Sequence, residues 1–182
     1  MPDDLLRSGK VAKGALREQF VRTPYAVSFQ AAGQTFILIT LHVIWGSQKA
    51  ERTPELAAIA GWLADWAARV EDFNQNLIAL GDFNIDREGD PNWEAFTSRG
   101  LSPPAELAQL PRTVSDLPGK EHFYDQIAWF HEDGRGQLTL EYSGRAGNFK
   151  WTDYLYTDLP AGEKSWHISD HYPLWVEFTL PR

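Results

Sequence analysis

The sequence predicts a single mixed α/β domain, and three observations predict it. The chain has 182 residues, of which 43% are apolar and 23% are charged, which suits one domain with a hydrophobic core. Apolar and alternating runs of strand length recur from Tyr25 to Leu180. An amphipathic helical pattern separates two of these runs, and the order strand, helix, strand is typical of an α/β layer.

A β-hairpin is predicted near the start of the chain. Tyr25–Gln30 alternates between apolar and polar residues, Ala31–Gln34 has turn composition, and Thr35–Leu41 is a strong β run. The polar segment Met1–Arg22 before it could hold a short helix around Ala12–Phe20.

A helix is predicted to start at Thr53 and to run to about Val70. Thr53 suits the N-cap, Pro54 the first helical position and Glu55 the first turn. Apolar residues then recur at helical spacing at Leu56, Ile59, Ala60, Leu63, Ala67 and Val70.

The second half is predicted to contain one short helix over Trp93–Arg99 and a loop with four prolines over Leu101–Gly119. Strands are predicted on either side of this part of the chain, at Leu77–Leu80, Phe123–Phe130, Leu138–Tyr142, Asp153–Tyr156 and Leu174–Leu180.

Composition excludes several classes of site. The chain has no cysteine, which excludes disulfides, thiolate metal sites and cysteine nucleophiles. The net charge is −8, with 17 basic residues scattered along the chain, and this argues against broad, sequence-independent DNA binding. No segment has the roughly 18 apolar residues of a membrane span, and Met1–Gly14 is too polar for a signal peptide. The localisation stays open, with the cytoplasm slightly favoured.

The segment Leu77–Asp86, LIALGDFNID, is the first candidate for a functional element. Gly81 is expected to break the strand, after which Asp82 and Asn84 follow at a spacing of two. In extended backbone such residues share a face. A carboxylate and a carboxamide suit a hard cation and a phosphate oxygen. An ordinary turn explains the same residues equally well.

Other polar residues occupy similar positions at strand ends. His42 follows a predicted strand, Asp125 opens one, and Asp170 and His171 precede the last one. Each has a simple structural explanation when considered alone. Because strand ends meet along the rim of a sheet, the residues could converge on one site.

The ordered motifs LHVIWG, GDFN, YDQI and SDH resemble those of the endonuclease/exonuclease/phosphatase superfamily. The resemblance extends from about Arg22 to Phe178. It implies a four-layered α/β sandwich of two packed, mainly antiparallel sheets flanked by helices. The implied activity is metal-dependent hydrolysis of a phosphoester, usually with Mg²⁺ or alternatively Mn²⁺.

The resemblance also implies roles for six residues. Asp82, Asn84 and Asp170 would be the candidate metal ligands. In the reaction, Asp82 would position or deprotonate water, and Asp170 would help to place the metal or the water. Asn84 would hold a phosphate oxygen, and His42 would contact the phosphate or the leaving oxygen. His171 would stabilise the pentacovalent phosphate, and Asp125 would orient His171.

One expected feature of the superfamily is not found in this sequence. Its first strands carry an Asn and a Glu, the Glu being the principal metal ligand, whereas the acids before the hairpin here are Asp3, Asp4 and Glu18. We therefore expect residues 1–21 to be a poorly defined segment and residues 22–182 to be a domain incomplete at its N-terminus. Mg²⁺ would bind weakly.

Two functional classes are consistent with these features. One is a phosphoester hydrolase, active alone or only with a second chain or the missing segment covering the exposed sheet. The other is a non-catalytic interaction module. The substrate could be a small phosphoester, a lipid head group or a nucleic acid. Lys49, Arg52 and Arg87 lie in loops beside the motifs and, with Trp45, could grip a strand, although a solvated face explains these charges more simply.

Overall fold

The computed structural model describes residues 20–31, 33–69, 76–130 and 138–180. The strands are β1 (Tyr25–Ala31), β2 (Gln34–His42), β3 (Leu77–Ile85), β4 (Leu101–Ser102), β5 (Phe123–Phe130), β6 (Glu141–Asn148) and β7 (Leu174–Thr179). The α-helices are α1 (Arg52–Ala67), α2 (Pro91–Thr97) and α3 (Ala161–His167).

Two sheets form the framework. Five strands form one sheet in the order β1-β2-β3-β5-β4, and β6 and β7 form a second. Only the β2–β3 pair is parallel within these sheets, and the remaining pairs are antiparallel. Helix α1 connects β2 to β3, which is the crossover that a parallel pair requires. The predicted hairpin and the strand–helix–strand order are confirmed.

The five-stranded sheet is packed on both faces. On one side, helices α1 and α2 cover a continuous apolar core that includes Ile39, Leu56, Phe83 and Phe96. On the other side, Trp129 of β5 lies 5.0 Å from Phe178 and 5.2 Å from Tyr142, measured between ring centroids, and so joins the two sheets. The described contacts therefore show helices, a large sheet and a small sheet in successive layers. The predicted α/β sandwich is confirmed.

The start of α1 differs from the prediction. The helix begins at Arg52, directly after a 3-10 turn over Lys49–Glu51, and Glu51 occupies the N-cap position. The Thr53 hydroxyl donates instead to the side chain of Asn92, 2.7 Å away. A tertiary contact has therefore replaced the local cap. The predicted C-terminal residue Val70 lies outside the described residues, as does all of the predicted Ala12–Phe20 helix except Phe20.

Three strand predictions need correction. Gly81 does not end β3, which continues to Ile85 with an irregular register between Asp82 and Ile85. The strand predicted from Leu138 begins at Glu141. The strand predicted at Asp153–Tyr156 is wrong, because a 3-10 turn occupies Trp151–Asp153 and the amides of residues 153 and 154 donate back to residues 150 and 151.

The described residues include no helix of the length and apolarity that a membrane span requires.

Gly81 gives a test of the β2–β3 contact. Its φ is +134°, and a Cβ atom there would collide with the carbonyl oxygen of Leu41. We expect Gly81→Ala to lower the free energy of unfolding by about 3 kcal/mol or more. Gly61→Ala is the control, because a Cβ at Gly61 in α1 meets nothing within 4 Å, and it should stabilise by about 0.5–1 kcal/mol. Urea unfolding measures both, and equal effects would contradict the close approach.

Candidate active site

Strand register places three of the predicted residues in one row. His42 at the end of β2 pairs with Asp82 of β3, and Asp82 pairs with Asp125 at the start of β5. Directly paired residues of neighbouring strands project from the same face of a sheet. Polar side chains near the ends of three strands therefore lie together on the rim of the five-stranded sheet.

His171 joins this row from the segment before β7. Its Nδ1 atom lies 2.6 Å from Oδ2 of Asp125, so the carboxylate accepts a hydrogen bond and fixes the orientation of the ring. This hydrogen bond raises the pKa of His171 to about 9, although partial burial opposes the shift. The imidazole is thus a cation at neutral pH, with its Nε2 atom 4.0 Å from Oδ2 of Asp170.

The backbone around His171 is held by the loop before β5. His171 forms an isolated antiparallel bridge with Thr113, and the amide of Val114 donates to the carbonyl of Asp170 at 2.8 Å. The indole of Trp151 also donates to the carbonyl of His171. The position of His171 therefore depends on a loop more than 50 residues earlier in the chain.

Arg112 is a part of the site that sequence reasoning missed. Its side chain is fully buried and donates to the carbonyls of Asp125, Leu110 and Leu107 at 2.8–2.9 Å. Its own carbonyl accepts from the amide of Tyr172 at 2.7 Å. Arg112 therefore connects both sides of the Asp125–His171 pair. Its pKa falls to about 10 because of burial, and it stays charged at neutral pH.

Asp116 fixes the conformation of the loop that carries Arg112 and Thr113. Its carboxylate accepts from the amides of Arg112 and Thr113, from the Thr113 hydroxyl, and from Nδ1 of His122 at 2.7 Å. Burial alone would raise the pKa of Asp116, but these hydrogen bonds outweigh it and lower the pKa. The sequence around Asp116 gives no signal of this role, because Asp is a common residue in turns.

Asp82 has an environment suited to accepting a proton. Its Oδ1 atom accepts from the amide of Asn84 at 2.9 Å, and its Oδ2 atom lies 3.6 Å from Nε2 of His42. Burial is the largest effect on Asp82 and raises its pKa, with a further increase from the charge of Asp125, against the opposing effects of Asn84 and the two histidines.

Asn84 is more buried than the prediction required. Its backbone is left-handed, with a φ of +52°, and only 3% of the residue is exposed. Its amide nitrogen donates to the carbonyl of Val43 at 2.8 Å. Asn84 therefore ties β3 to the loop after β2, in addition to any contact with a ligand.

Most of the predicted residues line a cleft of ≈ 310 Å³, called the site cleft here. Five of the six predicted residues line it, and the sixth, Asp125, is hydrogen-bonded to His171 behind its wall. Asp170 has a side chain that is 80% exposed. The lining residues are His42, Trp45, Asp82, Asn84, Thr113, Ser115, Tyr124, Asp170 and His171.

The three predicted metal ligands do not form a complete metal site. Within the described ranges, no group of three or more His, Cys, Asp or Glu side chains is arranged to hold a metal ion. Asp82 supplies one largely buried carboxylate, already bonded to Asn84, and Asp170 supplies an exposed one. Mg²⁺ takes near-ideal octahedral oxygen ligation, and these residues alone do not fit it.

Comparison by sequence gives one informative relative. The chain is 32% identical over 171 residues to a deoxyribonuclease of Thioalkalivibrio sp. (strain K90mix), an alignment that covers 88% of this chain and 44% of that protein. The chain thus spans less than half the length of this curated relative. No protein-family model matches the sequence.

Comparison by structure supports the fold through the superposition with D. rerio TDP2. D. rerio TDP2, solved with a single-strand DNA product, superposes with a TM-score of 0.51 at 14% identity, covering 85% of this chain and 60% of that one. An endonuclease/exonuclease/phosphatase family protein from Bacteroides thetaiotaomicron gives a TM-score of 0.48 at 17% identity, covering 81% and 51%.

The lowered pKa of Asp116 predicts a specific pH dependence of stability. An acid whose pKa is lower in the folded than in the unfolded chain stabilises the fold above its unfolded value, near 3.8, and loses this contribution as the pH falls through the folded value. We expect Asp116→Asn to unfold more easily than wild type at pH 7 and to show a shallower loss of stability below pH ~4. Urea unfolding across pH measures this. Parallel pH profiles would contradict it.

Proposed function

Because the chain has the fold of the endonuclease/exonuclease/phosphatase superfamily, we propose that it is a phosphoester hydrolase of the nuclease, phosphodiesterase or phosphatase type. The observation that carries the proposal is the Asp125–His171 hydrogen bond beside Asp82 in the site cleft. It combines a cationic imidazole, which can stabilise charge on a phosphate, with a carboxylate of raised pKa, which can accept a proton from water.

His171 stabilises negative charge on the phosphate in this proposal. Asp125 accepts from Nδ1, so the Nε2–H group is left to donate to a non-bridging phosphate oxygen. The positive charge of the ring favours the pentacovalent phosphate, which carries more negative charge on its oxygens than the ground state. Arg112 and Asp116 contribute indirectly, by holding the segments that carry this pair.

Asp82 activates the attacking water. Its raised pKa makes it a better proton acceptor than an exposed carboxylate. The water oxygen forms a bond to phosphorus, its proton passes to Asp82, and the bond from phosphorus to the leaving oxygen breaks. The leaving oxygen takes a proton from solvent, with His42 as its hydrogen-bonding partner. Asn84 and Asp170 orient the phosphate and the water from the sides of the site cleft.

In this proposal a divalent cation, Mg²⁺ or Mn²⁺, binds to the site cleft only weakly. Asp82, Asn84 and Asp170 supply oxygen ligands, but their arrangement does not form a full cage. No step above therefore depends on the ion.

Substitution of the two central residues tests the enzymatic proposal. We expect Asp82→Asn and His171→Gln each to reduce hydrolysis of bis-p-nitrophenyl phosphate and nicking of plasmid DNA by about 100-fold or more. Both assays are run with Mg²⁺ and with Mn²⁺. The matched control is Asp158→Asn, which changes an exposed carboxylate outside the site cleft and should leave the rate unchanged.

The same assays separate the two functional classes. A wild-type chain as inactive as both variants would exclude hydrolysis by this chain and favour the interaction module. Equal activity of wild type and both variants would instead place the chemistry at other residues. Circular dichroism of each variant shows that a loss of rate is not a loss of fold.

Calorimetric titration tests the metal proposal separately. Because Mg²⁺ finds only one buried carboxylate among the described residues of the site cleft, we expect a dissociation constant in the millimolar range, about 1 mM or weaker. Asp82→Asn should weaken the binding further. Micromolar affinity in the wild-type chain would show that the metal site is complete.

A further inference from the structure

The loop after β2, residues 43–47, is held by hydrogen bonds to neighbouring elements and is called the Trp45 loop here. Its backbone polar groups are bonded at nearly every position to groups outside the loop. The bonds are Val43 N to Asp82 O, Asn84 Nδ2 to Val43 O, Ile44 N to Glu55 Oε2, Arg52 Nε to Trp45 O and Ser47 N to Glu51 Oε2, at 2.7–3.1 Å. The loop is thus fixed to β3 and to the start of α1.

Trp45 projects from this rigid loop into solvent. It is 53% exposed, although a large apolar side chain normally gains stability by being buried. One face of the indole lies over the guanidinium of Arg52, 4.3 Å from the ring centroid. The ring of Tyr124 meets it edge-on at 5.5 Å. More than half of the residue therefore remains accessible beside these two contacts.

The exposed indole is contiguous with the proposed catalytic groups. Trp45 and Tyr124 line the site cleft together with His42, Asp82 and His171. The ring of Tyr124 lies 6.4 Å from the ring of His171, and it also stacks on His122 at 4.6 Å with an interplanar angle of 14°. Trp45, Tyr124 and His122 thus form a row of contacting rings beside His171.

We propose that Trp45 is a stacking subsite for a nucleobase attached to the phosphate in the site cleft. The inference rests on the proposed function, since it places the base relative to a phosphate held by His171. Base stacking on an aromatic side chain is favourable for every base, because each has a π-face. A rigid loop strengthens such a contact, because little conformational entropy is lost on binding.

The position of Arg52 favours a neutral planar ring over a cationic head group. A guanidinium already occupies one face of the indole and draws its π-electron density toward that side. A quaternary ammonium on the opposite face would meet a weakened quadrupole and the residual repulsion of the guanidinium charge. A neutral nucleobase is not repelled by the guanidinium and does not depend on the quadrupole, and it still gains the dispersion energy of stacking.

Binding measurements on the full chain without added metal test the inference. The probes are inorganic phosphate, deoxyribose 5-phosphate, thymidine 5′-monophosphate, phosphocholine and a single-stranded tetrathymidylate, titrated by ligand-observed NMR. We expect thymidine 5′-monophosphate to bind more tightly than deoxyribose 5-phosphate. Trp45→Leu, which keeps apolar bulk and removes the ring, should weaken the nucleotide by about tenfold and leave inorganic phosphate unchanged.

Two further variants complete the test. Trp45→Phe keeps an aromatic face and should retain most of the nucleotide affinity. Trp166→Leu is the matched control, because Trp166 is 90% exposed and does not line the site cleft, and it should bind all probes like wild type. Thermal unfolding of each variant shows whether the fold is kept.

The outcomes separate the subsite from the function on which it rests. Failure of inorganic phosphate and every other probe to bind overturns the phosphate site itself. Normal phosphate binding with nucleotide affinity equal in wild type and Trp45→Leu overturns the stacking subsite alone, as does phosphocholine binding that depends on Trp45 more than nucleotide binding does. Stronger binding of the tetranucleotide than of the mononucleotide supports a strand as the source of the base, and equal binding supports a free nucleotide.

Discussion

The parallel pairing of β2 with β3 is the constraint on which the rest of the site depends. It places His42 opposite Asp82, and the antiparallel pairing of β3 with β5 then places Asp82 opposite Asp125. The close approach of Gly81 to the Leu41 carbonyl accompanies this register. A shift of one residue in either pairing would turn a member of the row to the other face of the sheet.

Buried polar groups hold the segment of His171 in place relative to the strand of Asp125. Arg112 and Asp116 are held in one loop, and between them they bond to the strand that carries Asp125 and to the segment that carries His171. Buried charged groups are costly unless their hydrogen bonds are made. Here the bonds go mainly to backbone groups, so the side chains fix the path of the chain.

The electrostatics of the site follow from the same packing. Burial raises the pKa of Asp82, while the Asp125 carboxylate raises the pKa of His171 to about 9. A carboxylate that accepts a proton more readily therefore lies in the same cleft as an imidazole that keeps one. Such a pair of unlike titrating groups is the arrangement in which acid and base roles can be divided.

The sequence by itself determined the strand–helix–strand core and the hairpin and singled out the six polar residues, because these depend on local periodicity and on short motifs. It placed the end of β3 and the start of β6 incorrectly, because β3 pairs with β5 beyond Gly81 and the side chain of Asn76 binds the backbone before β6. The strand predicted at Asp153–Tyr156 is also wrong, because local 3-10 hydrogen bonds form there instead. Only the tertiary structure decided that Arg112 and Asp116 brace the site and that Arg52 supports Trp45. Those contacts join residues distant in the chain or within loops, where no spacing rule applies.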